Sequence, residues 1–366
     1  MNVVLCGYYG FDNVGDEAIL FSIVRALKNL HANITITVLS NNPEKTKETY
    51  GVEAVNRWRF KEVCAAIKAS NGLICGGGSL LQDETGWKSV PYYSGVMRLA
   101  IWMKKPVFVY AQGMGPINRR FNKWVVSHVL NKVNEITVRD EASKLLLQNI
   151  GIKRSISIVP DPVLSLEGIP FQSEWLTTQK IERPFITVSV RNWPTPIEYK
   201  KKIAEALDEL AYKGYTVVFV PMHSIHDQEA SQETAQLMNE NSRIAPCNLE
   251  IGEKISIIGE SELLIGMRLH SLIFAAISHT PFITISYDPK MDAFAALVEQ
   301  PVVGHVESDD WDGNTLFDLA IGALKNEDAL SSYLKEKVEK FKAEAMETPK
   351  MVLEILEMES DGEVGS

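Results

Sequence analysis

The feature that most constrains this fold is an alternation that runs through the chain twice. Short apolar, β-branched runs take turns with stretches whose apolar residues recur at helical spacing. Strands and helices that alternate in this way pair the strands in parallel and cover both faces of the sheet with helices. The first series reads as strands at 2–6, 34–39, 72–75, 107–111, 135–138 and 155–158, with helices at 16–30 and 122–133. Over 161–179 the pattern dissolves into a Pro- and Gly-containing stretch, which marks a linker. A second series of strands begins at 185–190 and continues at 216–220, near Ile244, at 263–265 and at 282–286, with helices at about 198–213, 227–239 and 271–278.

A chain of 366 residues suits two domains that each bury a core. The expected fold class is therefore α/β, with two Rossmann-like doubly wound domains facing across a cleft. The first spans 1–165 and the second 180–330. Helices at 331–357, broken at Thr348-Pro349, are expected to pack back toward the first domain, and 358–366 to form an acidic disordered tail.

A net charge of -10 argues against a broad surface for nucleic acid, so an anionic ligand must be held by a local cluster of cations. Cys6, Cys64, Cys75 and Cys247 show no CxxC spacing and read as reduced thiols of a cytoplasmic protein. Met1 leads directly into Val3-Val4-Leu5, so no secretory signal is expected. The longest apolar stretches are interrupted by Arg98, Lys104, Lys105, His279 and Pro281, which leaves no credible membrane span.

In open parallel sheets ligands bind beyond the carboxyl ends of the strands, so the βα loops are the places to search. Leu263 to Gly266 runs into Met267-Arg268-Leu269-His270-Ser271 and an apolar helix; Phe282 to Ser286 runs into Tyr287-Asp288-Pro289-Lys290 and another. These consecutive junctions deliver Arg268, His270 and Lys290 to one sheet edge, each near a helix N-terminus that favours an anion. The alternative is structural: Arg268 paired with a protein carboxylate, His270 packed, Lys290 solvated. Arg139 and Arg191 follow strands in the same way, and each is equally well read as a simple ion pair.

The opening loop, Gly7 to Glu17, has neither dinucleotide nor P-loop glycine spacing. Its aromatics beside Asp12, Asn13 and Asp16 look like a sugar platform, or else like a tight turn at a helix start. Gly76-Gly77-Gly78-Ser79, with Asp83 downstream, and Gln112-Gly113-Met114-Gly115-Pro116 permit close approach of a ligand or of another backbone. His223-Ser224-Ile225-His226-Asp227 has a spacing open to zinc, but lacks further ligands and reads better as a helix-start loop.

Taken together, Gly7-Tyr8-Tyr9-Gly10, Asn13-Val14-Gly15-Asp16-Glu17, Gly76-Gly77-Gly78-Ser79, Val138-Arg139-Asp140, Met267-Arg268-Leu269-His270-Ser271 and Ser286-Tyr287-Asp288 resemble the polysaccharide pyruvyl transferase family, and within it the CsaB-type bacterial enzymes. The resemblance covers about residues 1–300. It implies a GT-B-like fold, phosphoenolpyruvate as co-substrate, and neither metal nor organic cofactor. It further implies a ketal-pyruvylated sugar as product, in similar enzymes N-acetylmannosamine of a lipid-linked secondary cell-wall polymer that anchors surface-layer proteins.

On matching positions the resemblance implies Arg139, Arg268, His270 and Lys290 for the donor, with Leu269 and Ser271 in the same segment, and Tyr9 and Phe11 for the acceptor. Asp12, Asn13, Asp16, Gly77, Gly78 and Asp83 complete the expected acceptor side. Phosphoenolpyruvate carries a phosphate and a carboxylate on three carbons, which suits guanidinium groups. Addition of a sugar hydroxyl at C2 needs a proton at the methylene carbon, a task for His270. No general base is assigned. A lipid-linked acceptor draws attention to the basic, aromatic Asn118 to Trp124, either a weak contact for the inner membrane face or a solvated helix start. The rival readings are a GT-B glycosyltransferase using a nucleotide sugar, with Glu253, Glu260 and Glu262 near the donor loop, and a non-catalytic carbohydrate-binding protein on the same fold.

Overall fold

The computed structural model describes residues 1–84, 86 and 88–364, with side chains as far as Met358. The described chain separates into two compact units, Met1–Ser165 joined by the segment from Phe341 onward, and Leu166–Lys340.

The first unit holds a seven-stranded sheet: β1 (Asn2–Cys6), β2 (Thr35–Ser40), β3 (Glu53–Asn56), β4 (Gly72–Gly76), β5 (Val107–Gln112), β6 (Glu135–Val138) and β7 (Ser157–Ile158). Every pairing is parallel, in the order β3-β2-β1-β4-β5-β6-β7. Central β1 and β4 read as continuous apolar runs because they are covered on both faces, and Val3 to Cys6 are wholly buried. Helices α1 (Val14–Leu30), α2 (Pro43–Tyr50), α3 (Phe60–Ala69), α4 (Ser89–Trp102), α5 (Arg120–Leu130) and α6 (Glu141–Asn149) connect the strands. A short α7 (Glu174–Gln179) precedes the second sheet.

That sheet comprises β8 (Phe185–Ser189), β9 (Thr216–Phe219), β10 (Ser242–Ile244), β11 (Leu264–Gly266), β12 (Phe282–Ser286) and β13 (Val302–His305), in the order β10-β9-β8-β11-β12-β13 and again parallel. Its helices are α8 (Tyr199–Tyr212), α9 (Ser224–Leu237), α10 (Ile251–Gly259), α11 (Leu269–Ile277), α12 (Pro289–Leu297) and α13 (Gly313–Lys325). In both sheets the strand order reverses once, between β1 and β4 and between β8 and β11. The loops on either side of each reversal leave toward opposite faces, and a crevice opens at the carboxyl ends of those strands.

The chain returns to the first unit through α14 (Glu327–Ala345) and ends in α15 (Glu347–Val364). The helix break falls at Met346 rather than at Thr348-Pro349. Pro349 lies in the first turn of α15, where no helical N–H partner is required. Helix α15 packs on α1 and β5, burying Val352, Leu353 and Leu356; Leu356 Cδ2 lies 2.7 Å from where a side chain on Gly72 would begin. Helical backbone continues through Val364, and only Gly365 and Ser366 of that segment lie wholly outside the described residues.

Candidate active site

At the reversal point of the second sheet the β8, β11 and β12 loops meet. Arg191 follows β8, and its loop is pinned by Tyr199, whose hydroxyl donates to the Arg191 carbonyl at 2.8 Å and accepts from the Trp193 amide at 3.0 Å. The Arg191 guanidinium lies 4.4 Å from the Tyr287 ring centre and 5.3 Å from that of Trp193. Glu307 holds the Trp193 indole N–H at 2.9 Å. Among the described residues Arg191 makes no ion pair, and its Nε is buried without an acceptor. A cation held over two neighbouring rings, whose centres lie 4.7 Å apart, and without a carboxylate partner among the described residues is suited to an anionic ligand.

Arg268 follows β11 and caps α11 by backbone alone. Its Nε donates to Asp227 Oδ2 at 2.9 Å and its Nη2 to the other Asp227 oxygen. Asp227 is buried on α9 and also accepts the Met222 amide at 3.2 Å. The expectation of a free donor clamp is corrected here: a protein carboxylate occupies one edge of the guanidinium, and among the described residues only Nη1 lacks a partner. Asp227 therefore fixes the direction in which Arg268 can still donate. The described residues contain no cluster of three or more His, Cys, Asp or Glu side chains able to hold a metal ion.

His270 lies half-buried in the first turn of α11, beside the Arg268 loop. Ser271 is fully buried and donates to the Arg268 carbonyl at 2.6 Å, so its hydroxyl closes the helix start instead of reaching a ligand. Leu269 is half-buried. Lys290 lies in the first turn of α12, its amide capped by Asp288 at 3.0 Å and its ammonium free of ion pairs among the described residues. His223, after β9, has its basicity reduced by burial and by Arg268 nearby. A groove of about 290 Å³ between Phe171, Ile255, Gly259 and His279 lies by the amino end of β12, away from these loops.

The first sheet presents a different chemistry at its reversal. Tyr9 is 1% exposed and its hydroxyl donates to the Gly76 carbonyl at 2.9 Å, tying the β1 loop to β4. Glu17 accepts the Gly10 amide and the Tyr50 hydroxyl, both at 2.7 Å. The expected acceptor contact of Tyr9 is corrected: a ring locked in the core cannot meet a sugar. Tyr8 and Phe11 stack outward instead, ring centres 4.1 Å apart. Phe11, Trp58, Tyr92 and Tyr93 surround the Arg57 guanidinium at 4.4 to 5.4 Å, and Trp58 is 61% exposed. No sequence signal set Arg57 or Trp58 apart from other charged and aromatic residues.

Other acceptor candidates are engaged structurally. Asn13 caps α1 by accepting the Gly15 amide, Asp12 pairs with Lys45 at 2.6 Å, and Gly77 makes room for Ile19. Asp83 is buried and accepts from the Asn118 and Arg119 amides and the Asn122 side chain at 2.8 to 2.9 Å. It anchors the start of α5, which corrects its expected role as an acceptor ligand.

Asp16 and Arg139 remain. Arg139, after β6, packs against Gly113 and reaches Asp161 at 3.4 Å, Ser79 at 3.4 Å and Asp140 at 3.8 Å. These are loose contacts rather than a bidentate lock. Asp16 lies in the first turn of α1, and a side chain on Gly78 would begin 2.5 Å from its Oδ1. Burial, then Glu17 alongside, raises its pKa to about 7 against the pull of Arg139. Of the four expected donor side chains, Arg268, His270 and Lys290 thus share one sheet edge, while Arg139 belongs to the other sheet.

Two parallel sheets with ligand-ready carboxyl edges define a GT-B-type protein. Solved structures agree: HepE from Anabaena, in complex with UDP-glucose, is similar at a TM-score of 0.63 with 10% identity, covering 98% of this chain and 100% of that one. A glycosyltransferase from Rickettsia africae gives 0.62 with 15% identity over 98% of each chain. A putative UDP-N-acetylglucosamine 2-epimerase from Listeria monocytogenes gives 0.64 with 11% identity, covering 92% of this chain and 91% of that one. Identities this low speak for the fold alone. The sequence from 13 to 289 matches the polysaccharide pyruvyl transferase family, and the chain belongs to it. It is also 22% identical to the amylovoran biosynthesis protein AmsJ of Erwinia amylovora, over 79% of this chain and 84% of that protein. The protein is accordingly a transferase of pyruvyl groups to polysaccharide.

Proposed function

We propose that this protein transfers the pyruvyl group of phosphoenolpyruvate to a sugar of a lipid-linked cell-wall polysaccharide precursor, N-acetylmannosamine in the reading favoured by the sequence resemblance, closing a cyclic ketal and releasing phosphate. The observation that carries this reading is the Arg191 guanidinium, free of any described carboxylate, on the same sheet edge as Lys290 and the open Nη1 of Arg268. That edge suits a small, multiply charged anion better than a neutral sugar.

In this mechanism Arg191, Arg268 and Lys290 hold the phosphate and carboxylate, and the α11 N-terminus adds its dipole. His270 delivers a proton to the methylene carbon as the acceptor hydroxyl adds to C2. A second hydroxyl then displaces phosphate, and its proton leaves with the phosphate. The cations favour that departure because they are already oriented toward it. The stacked Tyr8 and Phe11 rings offer the acceptor sugar an apolar face. Among the described residues no helix is long and apolar enough to cross a membrane. A lipid-linked acceptor would be met at the membrane surface, and the exposed Phe121 and Trp124 beside Arg119 and Arg120 are the groups proposed for that contact.

Thermal-shift titration tests the donor assignment. Phosphoenolpyruvate should raise the melting temperature in a concentration-dependent manner, and Arg191→Ala should abolish the shift. Stabilisation by UDP-sugars with none by phosphoenolpyruvate would contradict the proposal and favour a glycosyltransferase.

A further inference from the structure

We propose that Asp16 is the general base that takes the proton from the acceptor hydroxyl, an inference that rests on the pyruvyl-transfer reading above. The acidic groups around the reversal point of the first sheet are otherwise committed. Asp12 is paired with Lys45, Glu17 holds the Gly10 amide and the Tyr50 hydroxyl, Asp83 accepts three N–H groups, and Asp161 accepts the Val163 amide and meets Arg139. Among the described residues the Asp16 carboxylate accepts no hydrogen bond and forms no ion pair.

Its placement is nonetheless built. Asp16 stands where α1 begins, in the crevice between β1 and β4. Gly78 at φ +67° brings the β4 loop so close that any side chain there would strike the carboxylate. The groups that face it are Tyr8, Tyr9, Glu17, Arg139, Asp161 and Tyr93. Tyr8, 40% exposed and stacked on Phe11, ties Asp16 to the aromatic face offered to the sugar, since its hydroxyl feels both Asp16 and Arg57. A carboxylate whose pKa is raised to about 7 is matched to proton abstraction at neutral pH, while a fully solvated aspartate is a poor base.

The step balances. The acceptor O–H bond breaks, its proton passes to an Asp16 oxygen, and the hydroxyl oxygen bonds C2 of the enolpyruvyl group. The C2–C3 π pair moves to C3, where the general acid of the pyruvyl-transfer reading adds a proton. Asp16 afterwards returns its proton to solvent.

The test is phosphate release from phosphoenolpyruvate with a sugar acceptor, followed across pH in wild type, Asp16→Asn, Asp16→Glu and Asp16→Ala. Asp16→Asn should lose roughly 10²–10⁴-fold in kcat with little change in KM for phosphoenolpyruvate. The rising limb of the wild-type profile near neutral pH should vanish, and formate should restore part of the Asp16→Ala activity. A folded Asp16→Asn within about tenfold of wild type, or one that keeps the same limb, overturns the assignment. Should the variants not fold, the wild-type profile decides: a kcat limb rising through about pH 7 supports Asp16, and none between about pH 5 and 9 overturns it. Wild-type protein that releases no phosphate with any acceptor sinks the pyruvyl reading and this inference with it. Activity lost only with Asp16 substitutions leaves the donor assignment standing.

Discussion

The two sheets share a strand order around their reversal points, yet the groups left unsatisfied there have opposite signs. In the first unit a carboxylate, Asp16, stands without a partner among the described residues, beside a loosely held Arg139. In the second a guanidinium, Arg191, stands without a carboxylate among the described residues while Arg268 is locked to Asp227. Duplicated architecture has therefore produced one edge suited to accepting a proton and one suited to binding an anion. Unsatisfied groups decide this, because a paired charge has already spent most of its interaction energy within the protein.

The contrast breaks most readily at Arg191 and His270. Arg191→Ala, and separately His270→Ala, should lower phosphate release by about two to three orders of magnitude with unfolding curves near wild type. Normal turnover in either would remove it from the chemistry, and Arg191→Lys should recover only part of the loss, because an ammonium cannot keep the stacked, planar contact.

Asp227→Asn probes the locked pair. Removing one partner of a largely buried pair should cost about 3 kcal/mol of stability in denaturant titrations and raise KM for phosphoenolpyruvate, since Arg268 is no longer aimed. Unchanged stability and KM would show that Asp227 does not position Arg268.

A smaller effect concerns the first unit and has a definite sign. Asp16 titrates near 7 when folded and near 4 when unfolded, so between those values the folded chain holds the extra proton. Stability from this group is present at low pH and declines as pH rises through about 7. Asp16→Asn, which cannot ionise, should melt roughly a few degrees above wild type at pH 8 and close to it at pH 4. The reverse order would mean that the carboxylate is stabilised, as in a salt bridge. The smallest effect is expected at the membrane contact. Charge reversal at Arg119 and Arg120 should reduce co-sedimentation with anionic liposomes modestly and leave turnover on a soluble acceptor unchanged.

Much of this fold was legible because central strands buried on both faces announce themselves as unbroken apolar runs. Edge strands β3 and β13 escaped: Glu53-Ala-Val-Asn56 and Val302-Val-Gly-His305 are short, half-polar and recognisable only once a neighbour pairs with them. At the site, the junctions bearing Arg268, His270 and Lys290 could be read from strand-loop-helix patterning. Which way each side chain turns could not. Tyr8 and Tyr9 are adjacent and chemically alike, and only loop closure onto Gly76 sends one inward and the other out. Asp227 lies 41 residues from Arg268 with no sequence sign of their pairing, and an unpaired Arg191 looked no different from any surface arginine.

Mass spectrometry of a lipid- or aryl-linked disaccharide incubated with the protein and phosphoenolpyruvate separates pyruvyl transfer from glycosyl transfer in one experiment. The acceptor should become heavier by one pyruvate ketal, formed with equimolar phosphate and lost when Arg191 is replaced by alanine. An acceptor left unmodified by phosphoenolpyruvate but lengthened by a sugar from a UDP-sugar would contradict it.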